Sequence, residues 1–288
     1  MFEHIIPREA PPMPLERYLR RAWPLLPGWV LRELDKKKDV RVNGVRSDGR
    51  ATVRGGDALA IYSAAPDFFP APDILWTDEK LIVSIKPQGL PVDVDRDGVG
   101  ADTLLTRLQR RWPEAQLCHR LDAATGGIVL AASDETVCRQ AEEAFKTHGI
   151  QKEYHALVLH PFDRSEGTLK AWLLKDARHA EVRVVHQMKP GAKPIETRYR
   201  TGAEVAPGVY HAWLSPITGR THQLRAHMAD FGHPLLGDDR YGDREANRRY
   251  QCARLCLWHG KLTVTQDSPL VDYRGMTFQA DAPEWDKC

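Results

Sequence analysis

Residues 119–122 form the charged tetrapeptide HRLD, which precedes a turn of small residues and then the apolar run 128–132. The apolar run, preceded by glycines, predicts a short buried strand. Because a strand that enters the core fixes the backbone just before it, we expect Asp122 to hold a rigid position at the mouth of a sheet. Its neighbours Arg120 and His119 leave two interpretations open. Asp122 is either part of a structural ion pair, or a nucleophile or acid/base group held next to a cation.

A second charged cluster occupies residues 219–228, with the sequence GRTHQLRAHM. Thr221 is predicted to cap the start of a helix. On that helix Leu224 and Met228 share one buried face. Arg225 lies at the edge of this face, where its aliphatic stem can pack while the guanidinium reaches inward.

The elements that must position these clusters are mostly strands. Strand-like segments recur over residues 151–159, 169–174, 180–185, 196–205 and 209–214. A helix from about residue 135 to 146 is predicted after the capping residues 133–135. Because sheet dominates and few helices intervene, we predict an α+β fold with a largely antiparallel mixed sheet.

The chain has 288 residues, enough for one large and one small domain. No apolar run is long enough to span a bilayer, and the first residues lack the pattern of a signal peptide. The five cysteines are unevenly spaced, which favours a reducing cytoplasm over a disulfide framework. We therefore expect a cytoplasmic protein without membrane association, and a monomer by default.

Cys252, Cys256 and His259 have the types and spacing of half a metal site. A closed site needs four ligands, and no second Cys/His pair completes this one. The three residues also lie in an apolar, strand-like stretch. We therefore expect no bound metal.

Positive charge is concentrated at the N-terminus. Residues 1–63 contain twelve basic and eight acidic residues, a balance of +4, whereas the whole chain carries only +2. A solvated basic face explains this balance as readily as a nucleic-acid partner does.

Two predicted helices, at residues 15–22 and 29–34, precede a lysine run and the strand-like sequences VRVNG and GGDALAIY. This order resembles the S4 domain, a small RNA-binding module. The resemblance implies an arm and a small α/β S4-like domain over residues 1–63, a Pro-rich linker over 64–72 and a catalytic domain over 73–288. The helices of that family face RNA, which implies phosphate contacts from Arg17, Arg20, Arg21, Arg32, Lys36, Lys37 and Lys38.

Four sequence blocks follow one another in the second part: HRLDAATGGIVLAA, QKEYHALV, GRTHQLRAH and GHPLLGDDRYG. Together with IVSIKPQGLPV they resemble the RluA-type pseudouridine synthases, a catalytic domain that an S4-like domain commonly accompanies. The resemblance implies that a uridine in structured RNA is isomerised in place, its glycosidic bond moved from nitrogen to carbon. It implies no metal and no organic cofactor.

The same resemblance implies a role for each matching position. Asp122 matches the catalytic aspartate, Tyr154 the tyrosine of the second block, and Arg225 the basic residue that pairs with the aspartate. Arg120 matches the arginine that enters the space left by the flipped base. Further substrate contacts are predicted at His119, Arg220, His222 and Gln223.

The chain departs from the family at Gly126, where a serine is usual, so any role of that hydroxyl is lost. Two other functions stay open: a catalytically silent RNA-binding or ribosome-assembly factor, and a glycosidase-type hydrolase. The hydrolase usually needs a second carboxylate across the pocket, and no such partner of Asp122 is evident in the blocks. The S4-like front favours ribosomal RNA over transfer RNA as the substrate.

Overall fold

The computed structural model describes residues 1–37, 39–62, 68, 70–94, 98–176 and 181–285. The chain divides into two compact units, one of Met1–Pro72 with Gly89–Ala115 and one of Asp73–Gln88 with Gln116–Cys288. The second unit thus begins at the predicted boundary, but residues 89–115 group with the first unit. Val99 belongs to that unit's apolar core, and the backbone N–H of Asp102 donates to the Ala22 carbonyl. The functional domain limits stay a prediction, and most of the predicted linker lies outside the described residues.

The described part of the first unit combines short strands with three helices. Its strands are β1 (Phe2–Ile5), β2 (Met13–Pro14), β3 (Val40–Val42), β4 (Val45–Ser47), β5 (Thr52–Val53) and β6 (Ala58–Ile61). Its helices are α1 (Leu15–Ala22), α2 (Gly28–Lys37) and α3 (Leu104–Gln109). Four strands form an antiparallel sheet in the order β1-β6-β3-β4, and β2 pairs with β5. The predicted helices at 15–22 and 29–34 correspond to α1 and α2, and their apolar faces enter one core.

The described part of the second unit contains one mixed sheet of eleven strands. They are β7 (Asp73–Thr77), β8 (Leu81–Lys86), β9 (Gln116–Leu117), β10 (Gly126–Ala132), β11 (Ile150–Leu159), β12 (Glu166–Asp176), β13 (Glu181–Val185), β14 (Lys193–Ala206), β15 (Val209–Pro216), β16 (Leu257–Val264) and β17 (Thr277–Gln279). Its helices are α4 (Glu135–Lys146), α5 (Gln223–Asp230), α6 (Arg244–Arg249) and a 3-10 turn (Val271–Tyr273).

The sheet runs in the order β13-β12-β14-β15-β11-β16-β10-β8-β7, and β9 and β17 pair with β10 and β16. Among the described strands only the pairing of β10 with β16 is parallel. The α+β prediction with a largely antiparallel mixed sheet is therefore confirmed. In the part of the chain that the structure describes, no helix is both long and apolar enough to cross a membrane.

The apolar run after the HRLD sequence is a strand in the middle of this sheet. All seven residues of β10 are buried, as the sequence predicts. Helix α4 packs on this part of the core through Val137 and Ala141. It begins where predicted, because the side chain of Asp134 accepts a hydrogen bond of 2.9 Å from the Val137 backbone N–H.

We predict that Asp134→Ala lowers the free energy of unfolding by about 1 kcal/mol, because it leaves an N–H of the first helical turn without its acceptor. Urea unfolding measures the loss. Glu143→Ala is the control, since it removes only an exposed surface pair with Lys146. Equal shifts for the two variants would contradict the capping role.

Candidate functional site

Asp122 lies in the tight turn that leads into β10. The Thr125 backbone N–H donates to the Asp122 carbonyl at 3.0 Å and closes the turn. Thr125 is buried, whereas the Asp122 side chain keeps 26% of its surface exposed. A carboxylate is thus held on a fixed backbone and remains accessible from outside.

Lys86 anchors the same turn from the neighbouring strand β8. It is fully buried, and its ammonium group donates to the carbonyls of Pro87 and Ala123, each at 3.0 Å. Burial lowers the pKa of Lys86 to about 7, and the charge of Asp122 acts against this shift. Sequence reasoning missed Lys86, although a lysine that ends the apolar run LIVSI was a usable signal.

Arg225 does not form the ion pair that the resemblance assigns to it. Its Nε and Nη2 atoms donate to the two oxygens of Asp238 at 2.8 and 2.7 Å, and Nη2 also lies 3.1 Å from Asp239. Burial alone would lower the pKa of Arg225. The hydrogen bonds and charge of Asp238 raise it overall, with a smaller contribution from Asp122.

The partner differs because Asp238 is fully buried and a buried carboxylate needs a bidentate cation. The spacing along the chain does not say which of several acidic residues an arginine will meet. Arg225 therefore acts on Asp122 only over a longer distance, while its guanidinium holds the loop that contains Asp238.

Asp122 instead contacts His222, whose Nε2 lies 3.8 Å from Oδ1. The Nδ1 atom of His222 hydrogen-bonds the Tyr241 hydroxyl at 2.9 Å. Burial lowers the pKa of His222, and Asp122 opposes that shift. The prediction of Thr221 as helix cap is wrong: His222 occupies the cap position with a left-handed φ of 53° and no side-chain capping bond.

Tyr154 lies on β11 and is 8% exposed. Its ring stacks on His259 with 4.5 Å between ring centroids and 14° between ring planes. Burial raises the pKa of Tyr154, and the nearby charge of Asp122 raises it further. The phenol therefore stays protonated, with one ring face covered by the imidazole.

His259 connects the strand of Tyr154 with the strand that leaves the Asp122 turn. Its Nδ1 atom hydrogen-bonds the Ile128 carbonyl at 2.6 Å, and burial lowers its pKa to about 3. The imidazole is therefore neutral. The sequence offered His259 only as a metal-ligand candidate, and the described residues contain no group of three or more potential ligands that could hold a metal ion.

Two of the predicted substrate contacts are engaged with the protein itself. The Nε2 atom of His119 accepts from the Leu130 backbone N–H at 3.0 Å. Gln223 is buried, and its amide binds Thr218, Thr197 and the backbone of Glu196 and Arg220. This geometry indicates that both side chains position loops.

Other predicted contacts are exposed: Arg120 and Arg220 in the second unit, and Arg17, Arg20, Arg32, Lys36 and Lys37 in the first. Arg21 is half-buried, and Lys38 lies outside the described residues. Arg20 and Lys37 pair with Glu16 and Glu33 of the same helices. Such exposed pairs are weak, so phosphate can compete for both cations.

The unusual glycine at position 126 is explained by the ring that lies opposite. Gly126 is paired with Trp258, and a Cβ atom at this position would lie 2.4 Å from Cζ3 and 2.6 Å from Cε3 of the indole. A serine therefore cannot enter unless the indole moves. The backbone of Gly126 does not have a positive φ, so its need for glycine comes from the packing of Trp258 and, at 2.8 Å, of Gln88 Cγ, and not from the turn.

Comparison with protein-family models matches residues 80–230 to "RNA pseudouridylate synthase". The chain is similar to the ribosomal large subunit pseudouridine synthase C of Vibrio cholerae, with 32% identity over 80% of this chain and 77% of the relative. It is similar to the dual-specificity RNA pseudouridine synthase RluA of Escherichia coli, with 35% identity over 73% and 92%. The solved structure of human RNA pseudouridylate synthase domain containing 1 has a TM-score of 0.61 at 25% identity, covering 76% of this chain and 86% of that chain.

We predict that Gly126→Ser destabilises the protein by about 1–3 kcal/mol through overpacking against the indole. In the Trp258→Leu background the added cost of the serine falls, because the smaller side chain leaves room for it. Urea unfolding of a double-mutant cycle measures this coupling.

Gly127→Ser is the matched control. Its φ is 110°, and a Cβ atom would lie 2.3 Å from the His259 carbonyl oxygen, a backbone atom that Trp258→Leu does not remove. The leucine therefore leaves the cost of this serine unchanged. Independent costs for Gly126→Ser and Trp258→Leu would contradict the steric explanation.

Proposed function

The chain belongs to the RluA-type RNA pseudouridine synthases, which are isomerases, and on this premise we propose that Asp122 is its catalytic carboxylate and structured ribosomal RNA its substrate. The observation that carries the proposal is convergence on one accessible carboxylate. Lys86 of β8, Tyr154 of β11 and His222 before α5 all interact electrostatically with Asp122. Three separate elements thus supply a cation, a protonated phenol and an imidazole around one acid.

The reaction breaks the bond between ribose C1′ and uracil N1 and forms a bond from C1′ to C5. The C5 proton leaves and N1 gains a proton, so atoms and charge balance without a cofactor. Asp122 either attacks C1′ or abstracts a proton, and both routes need the carboxylate. Lys86 stabilises negative charge on Asp122 and holds the next peptide through the Ala123 carbonyl.

The target base must leave the RNA stack, which costs a few kcal/mol. Arg120 is exposed and two residues before Asp122, and its planar cation suits the vacant place in the stack. Because His259 covers one face of Tyr154, the extruded uracil can pack only on the other face. The phenol is then available to transfer a proton to the rotated base.

Arg225 is a positioning residue in this proposal. It is bound to Asp238, so its contribution is to fix the loop beside His222 and to add a distant positive charge to the site. His119 and Gln223 are positioning residues too: His119 holds β10, and Gln223 holds the start of α5.

The relatives bear on the substrate, because one is named a ribosomal large subunit enzyme and another a dual-specificity RNA enzyme. The positive balance of residues 1–63 supports ribosomal RNA, as an S4-like module would. Mapping of pseudouridines in ribosomal and transfer RNA from a deletion strain tests this choice. The monomeric state and cytoplasmic location stay predictions.

We predict that Asp122→Asn loses about 10³-fold or more of tritium release from RNA labelled at uridine C5, because the amide can neither attack nor accept the proton. Asp163→Asn, an exposed change elsewhere in the unit, serves as the control. RNA binding by the inactive variant is retained. Full activity in Asp122→Asn would favour the catalytically silent RNA-binding factor instead.

We also predict an alkaline limb in the rate at saturating RNA. Lys86 is cationic below its pKa of about 7 and neutral above it, so a rise of pH through 7 removes the cation beside Asp122 and lowers turnover. Lys86→Met lowers turnover at pH 6 by about 10²-fold and abolishes this limb. The exposed Lys80→Met is the control, and a limb that persists in Lys86→Met would assign it to another group.

A further inference from the structure

Exposed arginines follow Asp238, the residue whose carboxylate binds Arg225. Residues 240–254, which we name the arginine segment, contain five arginines and only two acidic residues, for a charge of +3 against +2 for the whole chain. All five side chains are exposed: Arg240, Arg244, Arg248, Arg249 and Arg254. The segment was not among the RNA contacts that the sequence predicts.

The arginine segment is anchored to the candidate active site by the buried Asp238. One oxygen of Asp238 accepts from the backbone N–H groups of Arg240 and Tyr241, while both of its oxygens bind Arg225. Asn247 completes the attachment, since its amide accepts from the Gly237 N–H and donates to the Asp238 carbonyl. The segment therefore has a defined position relative to the catalytic loop.

The start of the segment lies beside the reacting groups. Tyr241 hydrogen-bonds His222, and His222 faces Asp122 at 3.8 Å. The positive charge of Arg240 contributes to lowering the pKa of His222, so its guanidinium lies close to the site. RNA with a nucleotide at Asp122 therefore has the start of the arginine segment within reach.

The helix in the segment presents two arginines one turn apart. Arg248 donates through Nε to the Arg244 carbonyl at 3.2 Å, which leaves its terminal nitrogens for a ligand. The four residues from Arg244 to Arg248 advance about 6 Å along the axis, similar to the step between successive phosphates of an RNA strand. Asp243 offsets part of the charge of Arg248, and one of its oxygens accepts from the N–H groups of Glu245 and Ala246.

We propose that the arginine segment binds the phosphate backbone of the substrate RNA next to the extruded nucleotide, with Arg244 and Arg248 on neighbouring phosphates. The planar guanidinium matches phosphate in a bidentate manner. The inference rests on the proposed function for its choice of RNA over an acidic protein. It concerns affinity and register, not the chemical step.

The test is the salt dependence of RNA binding by the full chain. The probe is a fluorescein-labelled RNA hairpin with a uridine loop, and the variant is Arg244→Gln/Arg248→Gln. Each lost phosphate contact reduces the magnitude of the slope of log Kobs against log salt concentration by about 0.7–0.9. We therefore expect the double variant to reduce this magnitude by about twice that amount. The RNA KM rises in the turnover assay.

Arg139→Gln/Lys146→Gln is the matched control, because it removes two exposed cations from α4 and leaves the slope as in wild type. Arg244→Lys/Arg248→Lys keeps the charges and therefore keeps the slope, which separates charge from folding. An unchanged slope in the glutamine variant, or an equal loss in the control, overturns the proposal. Lower kcat with an unchanged slope also overturns it and assigns the segment to holding Asp238.

Asp122→Asn separates this proposal from the proposed function. The binding slope is measured without turnover, and Asp122→Asn keeps the wild-type slope while it abolishes tritium release. If Arg244→Gln/Arg248→Gln shows the expected reduction of the salt slope and Asp122→Asn keeps full activity, only the catalytic assignment is rejected.

Discussion

The close parallel approach of β10 to β16 is the constraint on which the site depends. Gly126 and Gly127 lie directly against Trp258 and His259, where a Cβ atom would collide with the indole or with the backbone. This approach brings the His259 imidazole under Tyr154 and within hydrogen-bonding distance of the Ile128 carbonyl. This one contact between two strands therefore fixes the position of the Tyr154 ring relative to the Asp122 turn.

The charged and polar groups of the site fall into two sets: those that hold loops in place and those that lie beside Asp122. The strongest pair, Arg225 with Asp238, is internally satisfied and fixes a loop. The groups beside Asp122 differ from this pair: Lys86 donates to two backbone carbonyls, and His222, whose pKa is lowered by burial, bonds the Tyr241 hydroxyl. Among the described residues no guanidinium is hydrogen-bonded to Asp122, so in our proposal its lone pairs stay available for substrate.

The exposed cations form a second set of charges, outside the buried groups around Asp122. Arg120 and Arg220 flank the site from the two charged blocks, and the arginine segment extends from the same loop as Asp238. In our proposal the exposed charges contribute affinity and register for RNA, whereas the buried groups set the chemistry. The exposed and the buried sets are joined through Asp238, which binds Arg225 with its side chain and the arginine segment through backbone N–H groups.

Local sequence determined much of the fold and the identity of the central acid. The run of residues 128–132 and the alternation along β11 specify strands because side-chain burial follows the backbone period, and Asp134 marks the start of α4. Only the tertiary structure decided that Arg225 pairs with Asp238, that Lys86 enters the site, and that Trp258 excludes a side chain at position 126. These outcomes depend on which distant residues meet in the core, and burial chooses the partners there because an unpaired charge or an overlapping atom in the interior costs too much.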